Sequence, residues 1–201
     1  KVDVVVGEFL SSVFLATMDI YQKYKIPVID VAAASPDIWK KIRNDKMDYV
    51  FQLSPTQDTF ARDLAGTVMQ YIKPVSSVAF VGSDTPSGWA MEEALVEWFT
   101  TKHPQVKIAL KERVPTGTTD FYPLITKLKN SGAQIVLFEF GGEEGKAFHT
   151  QWYELKAPIY VAYIQRLPLD YMEKNWAKLE GAIVDVRWWE GPHTPKTLPF
   201  L

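Results

Sequence analysis

The sequence contains no cysteine and only three histidines. Without cysteine the chain cannot form a disulfide framework or a cysteine-liganded metal site, and this absence is compatible with a cytoplasmic, periplasmic or cell-surface location. His103, His149 and His193 lie far apart, and none has the partner spacing of a metal site. His149 falls in the middle of a predicted helix, where we expect an exposed side chain. We therefore expect no metal and no other cofactor.

Long apolar runs, blocks of like charge and catalytic motifs are also missing. No apolar run reaches the roughly 18 to 20 residues of a membrane span, so we expect no membrane insertion in this segment; an upstream signal peptide or lipid anchor is compatible with that. A net charge of −2 without a run of five like charges argues against nucleic-acid binding. The sequence has no G-x-S-x-G elbow, His-Glu-x-x-His motif or motif-placed carboxylate pair, which argues against an enzyme.

The sequence does contain apolar β-branched runs that alternate with amphipathic stretches of helix length. This alternation is typical of an α/β fold with doubly wound parallel sheets that carry helices on both faces. Strands are predicted at residues 3–6, 28–31, 49–53, 78–81, 106–114, 135–140, 159–162 and 182–186. Helices are predicted at residues 11–24, 57–72, 88–102, 121–130, 143–155 and 169–177.

Two breaks interrupt this pattern. Residues 54–58 (SPTQD) form a polar break before a long helix, which Thr56 or Asp58 is able to cap. Residues 188–195 are too rich in Pro and Gly for a strand. We interpret both breaks as crossings between two lobes.

The breaks assign residues 1–54 to part of a first lobe, 55–190 to a second lobe, and 191–201 to a crossing back toward the first. Residues 53–56 and 189–192 should lie side by side as a hinge at one edge of a cleft. Because the first lobe lacks its outer strands, we interpret the chain as an internal piece of a larger protein. It should therefore expose an unpaired sheet edge and an apolar face.

Several short motifs occur in a familiar order. Together they resemble the type I periplasmic binding proteins, and especially the branched-chain amino acid receptors of ABC transporters. The motifs are Gly7 with Ser11-Ser12, Asp19-Ile20-Tyr21, Ile29 through Asp37, Tyr49-Val50-Phe51-Gln52, the GSDTPSG turn at 82–88, Thr118-Thr119-Asp120-Phe121 and Glu180-Gly181-Ala182.

The resemblance implies a two-lobed type I fold, one lobe of it incomplete in this chain. Such a receptor is extracytoplasmic, closes its lobes on a small molecule at the carboxyl ends of the strands, and delivers that molecule to an ABC permease. The expected ligand is a small carboxylate, an amide or an amino-acid-like compound. The same fold also occurs in ligand-sensing domains of receptors and regulators, which remain an alternative.

Ser11 and Ser12 follow a strand and begin a helix, so their hydroxyls and the first-turn amides can donate to a carboxylate. The resemblance places the ligand's carboxylate at Ser11; the alternative is that Ser11 only caps its helix. Ala32, Ala34 and Ser35 follow the next strand, where small residues let a ligand approach the backbone. Amino acid receptors carry a threonine at Ala34, so Ser35 either replaces that contact or caps a helix.

In the second lobe, the resemblance implies ligand contacts at Ser87, Gly142 and Gln165, with Trp89 close to the cleft. Amino acid receptors have an aromatic residue at Ser87, often another in the Gly142 loop, and an acid in the loop at 163–166. All three are missing here. We therefore expect a small carboxylate, amide or aromatic acid to bind more tightly than leucine or valine, because no acid would hold an ammonium group.

The glycines at 141–145 leave two further interpretations open. The loop follows a strand and opens a helix, so it is either a plain turn or, in the alternative of a cofactor-binding α/β enzyme, a cofactor loop. In the turn at 82–88, by comparison, the glycines match neither the dinucleotide nor the P-loop spacing. Two acidic residues in the loop at 141–145 would repel a pyrophosphate, which disfavours the enzyme.

Overall fold

The protein, described here from a computed structural model, folds into two parallel sheets over residues 2–165 and 167–184. The first sheet has the strand order β1-β2-β3 and the second the order β5-β4-β6-β7-β8, with every neighbouring pair parallel. The strands are β1 (Val5–Val6), β2 (Val28–Asp30), β3 (Val50–Gln52), β4 (Ser77–Ser83), β5 (Lys107–Val114), β6 (Ile135–Phe138), β7 (Tyr160–Tyr163) and β8 (Ala182–Val184).

Helices connect the strands, as right-handed parallel crossovers require. In the part of the chain that the structure describes, none of them is long and apolar enough to cross a membrane. The helices are α1 (Ser11–Tyr24), α2 (Pro36–Asn44), α3 (Gln57–Tyr71), α4 (Pro86–Lys102), α5 (Tyr122–Ser131), α6 (Gly142–Glu154) and α7 (Leu169–Lys174), followed by a 3-10 turn at Trp176–Lys178.

Helix α2 is absent from the helices predicted above. It is only nine residues long, and its apolar stripe consists of Ile38, which is buried, and Ile42, which is partly buried one turn later. Its start does follow the expected capping pattern: the Ser35 hydroxyl accepts a hydrogen bond from the Asp37 amide at 3.3 Å, and Pro36 occupies the first turn.

The second sheet is packed on both faces. In β6, Ile135 and Leu137 face a core that includes α3 and α4, whereas Val136 and Phe138 face a core that includes α5 and α6. Side chains alternate between the faces of a strand, so a continuous apolar run indicates a strand buried on both sides. This part of the predicted doubly wound architecture is complete in the described residues.

Among the described residues, the first sheet is packed on one face only. Phe14 and Met18 of α1 and Ile38 of α2 cover that face. On the other face, Val6 and Phe51 are 65% and 48% exposed. The exposed apolar face expected from the sequence is present.

The connection between the sheets lies at the predicted first break. Strand β3 ends at Gln52, and α3, which begins at Gln57, packs on the second sheet. Thr56 occupies the N-cap position of α3 without a side-chain capping bond. The second break at 188–195, the hinge segment 189–192 and the crossing at 191–201 lie outside the described residues.

His149 is fully buried, so the expectation of an exposed side chain was wrong. Its Nε2 lies 3.0 Å from the Lys178 carbonyl oxygen, which can only accept, so Nε2 carries the proton. Its Nδ1 lies 2.8 Å from the Tyr163 hydroxyl and accepts from it. The neutral ring is satisfied at both nitrogens and joins α6 to the turn before β8.

This arrangement makes stability pH-dependent. Burial lowers the pKa of His149, so between the folded-state value and the ordinary value of about 6.5 the unfolded chain binds more protons. The contribution of the buried His149 ring to the free energy of unfolding is therefore fully present above about pH 6.5, and it is lost as the pH falls below that value. We expect the urea midpoint to fall from pH 7 to pH 5 more steeply in the wild type than in His149→Gln. Equal slopes would contradict this assignment.

Candidate ligand-binding cleft

A cavity of about 340 Å³ lies between the two sheets, where the carboxyl ends of their strands meet helix N-termini. Parallel α/β folds bind ligands at this edge of the sheet. Its lining comes from both predicted lobes. The lining residues are Phe9, Leu10, Ser11, Ser12, Leu15, Ala32, Ala34, Gln57, Ser83, Thr85, Pro86, Ser87, Thr116, Glu139, Phe140, Gly141, Glu144 and Gln165.

A larger hollow of about 560 Å³ lies at the junction of the sheets. Its lining includes Leu53, Pro55 and Ile183, and Asp63 is its one ionisable side chain among the described residues. Its other polar side chains are Ser54 and Thr67, and none of the residues predicted to contact a ligand lines it. We therefore assign the candidate site to the smaller cavity.

Four helices, α1, α3, α4 and α6, begin at this cavity. In α4 the Thr85 hydroxyl accepts from the Gly88 amide at 3.3 Å, which satisfies one first-turn donor. The N-cap residues of α1 and α6, Leu10 and Gly141, make no side-chain capping bond. Unpaired first-turn amides and the helix dipole attract an anion or a carbonyl oxygen.

Ser11 does not cap its own helix. Its Oγ instead accepts from the backbone amides of Ala34 at 3.2 Å and Ser35 at 3.1 Å, and so ties the start of α1 to the loop after β2. A hydroxyl has two acceptor positions and one donor. With both acceptor positions taken, the Ser11 hydroxyl is left as a hydrogen-bond donor at the cleft.

The structure brings six of the nine predicted site residues to the cavity, and three lie outside its lining. Ser35 is fully buried as the cap of α2, and Gly142 lies beside Gly141 and Glu144, which do line the cavity. The six are Ser11, Ser12, Ala32, Ala34, Ser87 and Gln165.

Trp89 is the third residue outside the lining. Its indole N–H donates to Asp84 Oδ1 at 2.9 Å, and the Arg113 guanidinium lies 5.7 Å from its ring centroid. These contacts hold the ring away from the cleft. Arg166 lies outside the described residues.

Two carboxyl groups line the cavity, which corrects the premise of a cleft without an acid; Glu139 was missed by the sequence analysis, and Glu144 was noted there only as an acid of the loop. Glu139 is 2% exposed, and its Oε2 accepts from the Ser83 amide at 2.5 Å. Burial raises the pKa of Glu139, against the opposing effect of hydrogen bonds from Ser83 and from the Ser87 side chain. Glu144 accepts from the Gly117 amide at 3.0 Å. The sequence feature that could have identified Glu139 is an acidic residue near the end of the apolar run IVLFEF.

Gln57 was also missed. It is the first residue of α3 and is 2% exposed. Its backbone N–H donates a hydrogen bond to the Ala34 carbonyl oxygen at 2.7 Å. Its side-chain Nε2 is buried without a hydrogen-bond partner. Burying an N–H group without a hydrogen-bond partner costs about 1–3 kcal/mol of stability. A hydrogen-bond acceptor placed against the Gln57 side-chain amide would remove this cost.

A sequence profile described as "Periplasmic binding protein" matches residues 1–195. The chain belongs to the periplasmic binding protein family. Its matched structures share the fold: an amino acid ABC transporter substrate-binding protein from Pseudomonas fluorescens Pf-5 superposes with a TM-score of 0.79 at 16% identity, covering 96% of this chain and 51% of the other. The predicted type I fold, present in part, is confirmed.

Two further periplasmic binding proteins are similar. A putative branched-chain amino acid ABC transporter protein from Rhodospirillum rubrum has a TM-score of 0.68 at 21% identity, covering 98% of this chain and 54% of the other. A solute-binding protein from R. palustris, solved with 4-hydroxybenzoate, has a TM-score of 0.69 at 23% identity, covering 80% and 42%. The chain thus spans about half the length of these structures, and the matched proteins are solute-binding proteins rather than enzymes.

Proposed function

We propose that this chain is part of an extracytoplasmic solute-binding receptor of an ABC importer, and that it binds a small carboxylate, amide or amino-acid-like ligand between two closing lobes. The observation that carries the proposal is the Ser11 hydroxyl. It lies at the cleft with both acceptor positions occupied and only its donor free, beside the uncapped start of α1.

The cavity suits such a ligand in size and polarity. Its volume of about 340 Å³ lies at the lower end of the range of about 300–1,000 Å³ that ligand pockets occupy. Phe9, Leu10, Leu15 and Phe140 supply apolar surface around the donors. Two of the matched structures were solved with benzoate or 4-hydroxybenzoate, and a third is an amino acid ABC transporter substrate-binding protein. These matches support a small acid as the ligand class.

The family and its structural relatives support the importer role. Receptors that close two lobes on a solute pass it to a partner that recognises the closed form. The partner we propose is therefore an ABC permease. Binding of the ligand-loaded protein, but not of the empty protein, to that permease in reconstituted vesicles would support this role.

Ser11→Ala should weaken carboxylate binding by about 0.5–3 kcal/mol, the range for the loss of a neutral or charge-assisted hydrogen bond. Calorimetric titration of the full-length protein with benzoate, 4-hydroxybenzoate and leucine measures the effect. The matched control is Thr17→Ala. Thr17 is also in α1, but its hydroxyl bonds to the Val13 and Phe14 carbonyls and does not line the cavity.

The control also separates binding from folding. Because Ser11 ties α1 to the loop after β2, its loss should lower the melting temperature of the empty protein as well. Unchanged affinity in Ser11→Ala, with Thr17→Ala also unchanged, would remove Ser11 from the site. Failure of every small carboxylate, amide and amino acid to bind would overturn the proposed function.

A further inference from the structure

We propose that Glu139 and Gln57 determine ligand specificity, by requiring one small molecule to present a hydrogen-bond donor to the Glu139 carboxyl and an acceptor to the Gln57 amide. This inference rests on the proposed function and deepens it. The donor is an ammonium, amide or hydroxyl group, and the acceptor is a carboxylate or carbonyl oxygen.

The first observation is that Glu139 is a buried acid in the wall of the cavity. It follows β6, and it accepts from the Ser83 amide, which can only donate, at the end of the neighbouring strand β4. The carboxyl is therefore held in an accepting role. Ser83 and the Ser87 side chain already donate to this carboxyl group, and its remaining lone pairs can accept a further hydrogen bond from a donor of a ligand in the cavity.

The second observation is independent of the first and comes from the crossing between the sheets. Gln57 lies at the start of α3, is fixed through its backbone to Ala34, and has a buried Nε2 without a partner. Buried side-chain amides are nearly always paired. A ligand acceptor placed against this amide would satisfy it, and Ala34 on the same wall leaves room for that approach.

The third observation is the charge of the lining. Glu139 and Glu144 both contribute carboxyl groups, whereas no Lys, Arg or His lines the cavity among the described residues. The helix N-termini and hydroxyl groups can stabilise one anionic group of the ligand. A ligand that carries only a negative charge would still lie close to two acids, with no Lys, Arg or His of the described lining to balance their charge. A ligand that carries its own donor removes this conflict.

Two matched pairs of compounds test the donor requirement on the full-length protein. Benzoate and 4-hydroxybenzoate differ by one hydroxyl donor, and 4-methylpentanoate and leucine differ by one ammonium donor. In at least one pair the donor-bearing compound should bind on the order of tenfold more tightly, as expected for a hydrogen bond to a charged group. Glu139→Gln should remove most of this advantage, whereas the donor-free partner should bind no more weakly than to the wild type, because one of the two acids that disfavour it is gone.

Two further variants keep the test decisive. Gln57→Leu, close in volume, should weaken donor-bearing and donor-free acids alike while preserving the ratio within each pair, and it serves as the second test if Glu139→Gln fails to fold. Glu143→Gln is the control, because Glu143 is an exposed acid in α6 that pairs with Lys146 outside the cavity. It should leave all four affinities unchanged.

The outcomes distinguish this inference from the proposed function. Equal affinities within both pairs, or an equal loss for all four compounds in Glu139→Gln, would overturn the specificity inference while the proposed function stands. If none of the four compounds nor any other small acid or amide binds, the proposed function fails and this inference fails with it.

Discussion

Phe138→Ala is expected to destabilise the second lobe by about 3–5 kcal/mol, the usual cost of emptying a buried aromatic position. Phe138 is fully buried at the end of β6, and its ring stacks on Phe148 of α6 with centroids 4.0 Å apart. Phe121, Phe140 and Tyr163 lie around the same ring at centroid distances of 5.3–5.9 Å. Removing it opens a cavity that this rigid cluster cannot fill.

The effect should reach the ligand site. Phe140 contacts the Phe138 ring and also lines the cleft, so a loosened cluster should weaken ligand binding along with stability. Urea unfolding monitored by circular dichroism measures the first effect, and calorimetry the second. Tyr71→Ala is the control, because Tyr71 is 76% exposed and its loss should change stability by less than about 0.5 kcal/mol. Equal losses in both variants would contradict the packing argument.

The fold was largely predictable because its main signals are local. Every described strand was predicted from an apolar run, and in strands buried on both faces, such as β6, apolar residues occupy every position. Helix α1 was predicted with its observed bounds, Ser11–Tyr24. Helix α2 was not, because it is only nine residues long and its contribution to the core is limited to Ile38 and Ile42, a single helical repeat.

The candidate site was only partly predictable because it depends on which loops meet. Ser11 and Ser87 were found through their positions after strands and at helix starts. Glu139 and Gln57 were missed because their importance comes from burial and from an unpaired amide, which are properties of the folded chain. The burial of His149 was missed for the same reason. A position in the middle of a helix does not show whether the side chain faces solvent or a neighbouring layer of the fold.

Gly88 connects the fold to this site, and Gly88→Ala should disrupt both. The GSDTPSG turn brings the first turn of α4 so close to the end of β4 that an added Cβ at Gly88 would lie 2.0 Å from the Ser83 carbonyl oxygen and 2.8 Å from both the Ser83 amide nitrogen and Glu139 Oε2. Two of these three atoms are backbone, so no side-chain rotation relieves the overlap, and the helix must move away from the strand.

We expect Gly88→Ala to lower the free energy of unfolding by about 1–3 kcal/mol or more, the cost of overpacking a closed site. It should also weaken ligand binding, because the displaced turn carries the Ser83 amide and the Ser87 side chain that hold the Glu139 carboxyl. Gly66→Ala is the matched control: Gly66 lies within α3 with nothing within 4 Å of an added Cβ, so alanine there should stabilise the helix by about 0.5–1 kcal/mol. Urea unfolding and calorimetry on both variants would refute the close-approach argument if Gly88→Ala folded and bound ligand as well as Gly66→Ala.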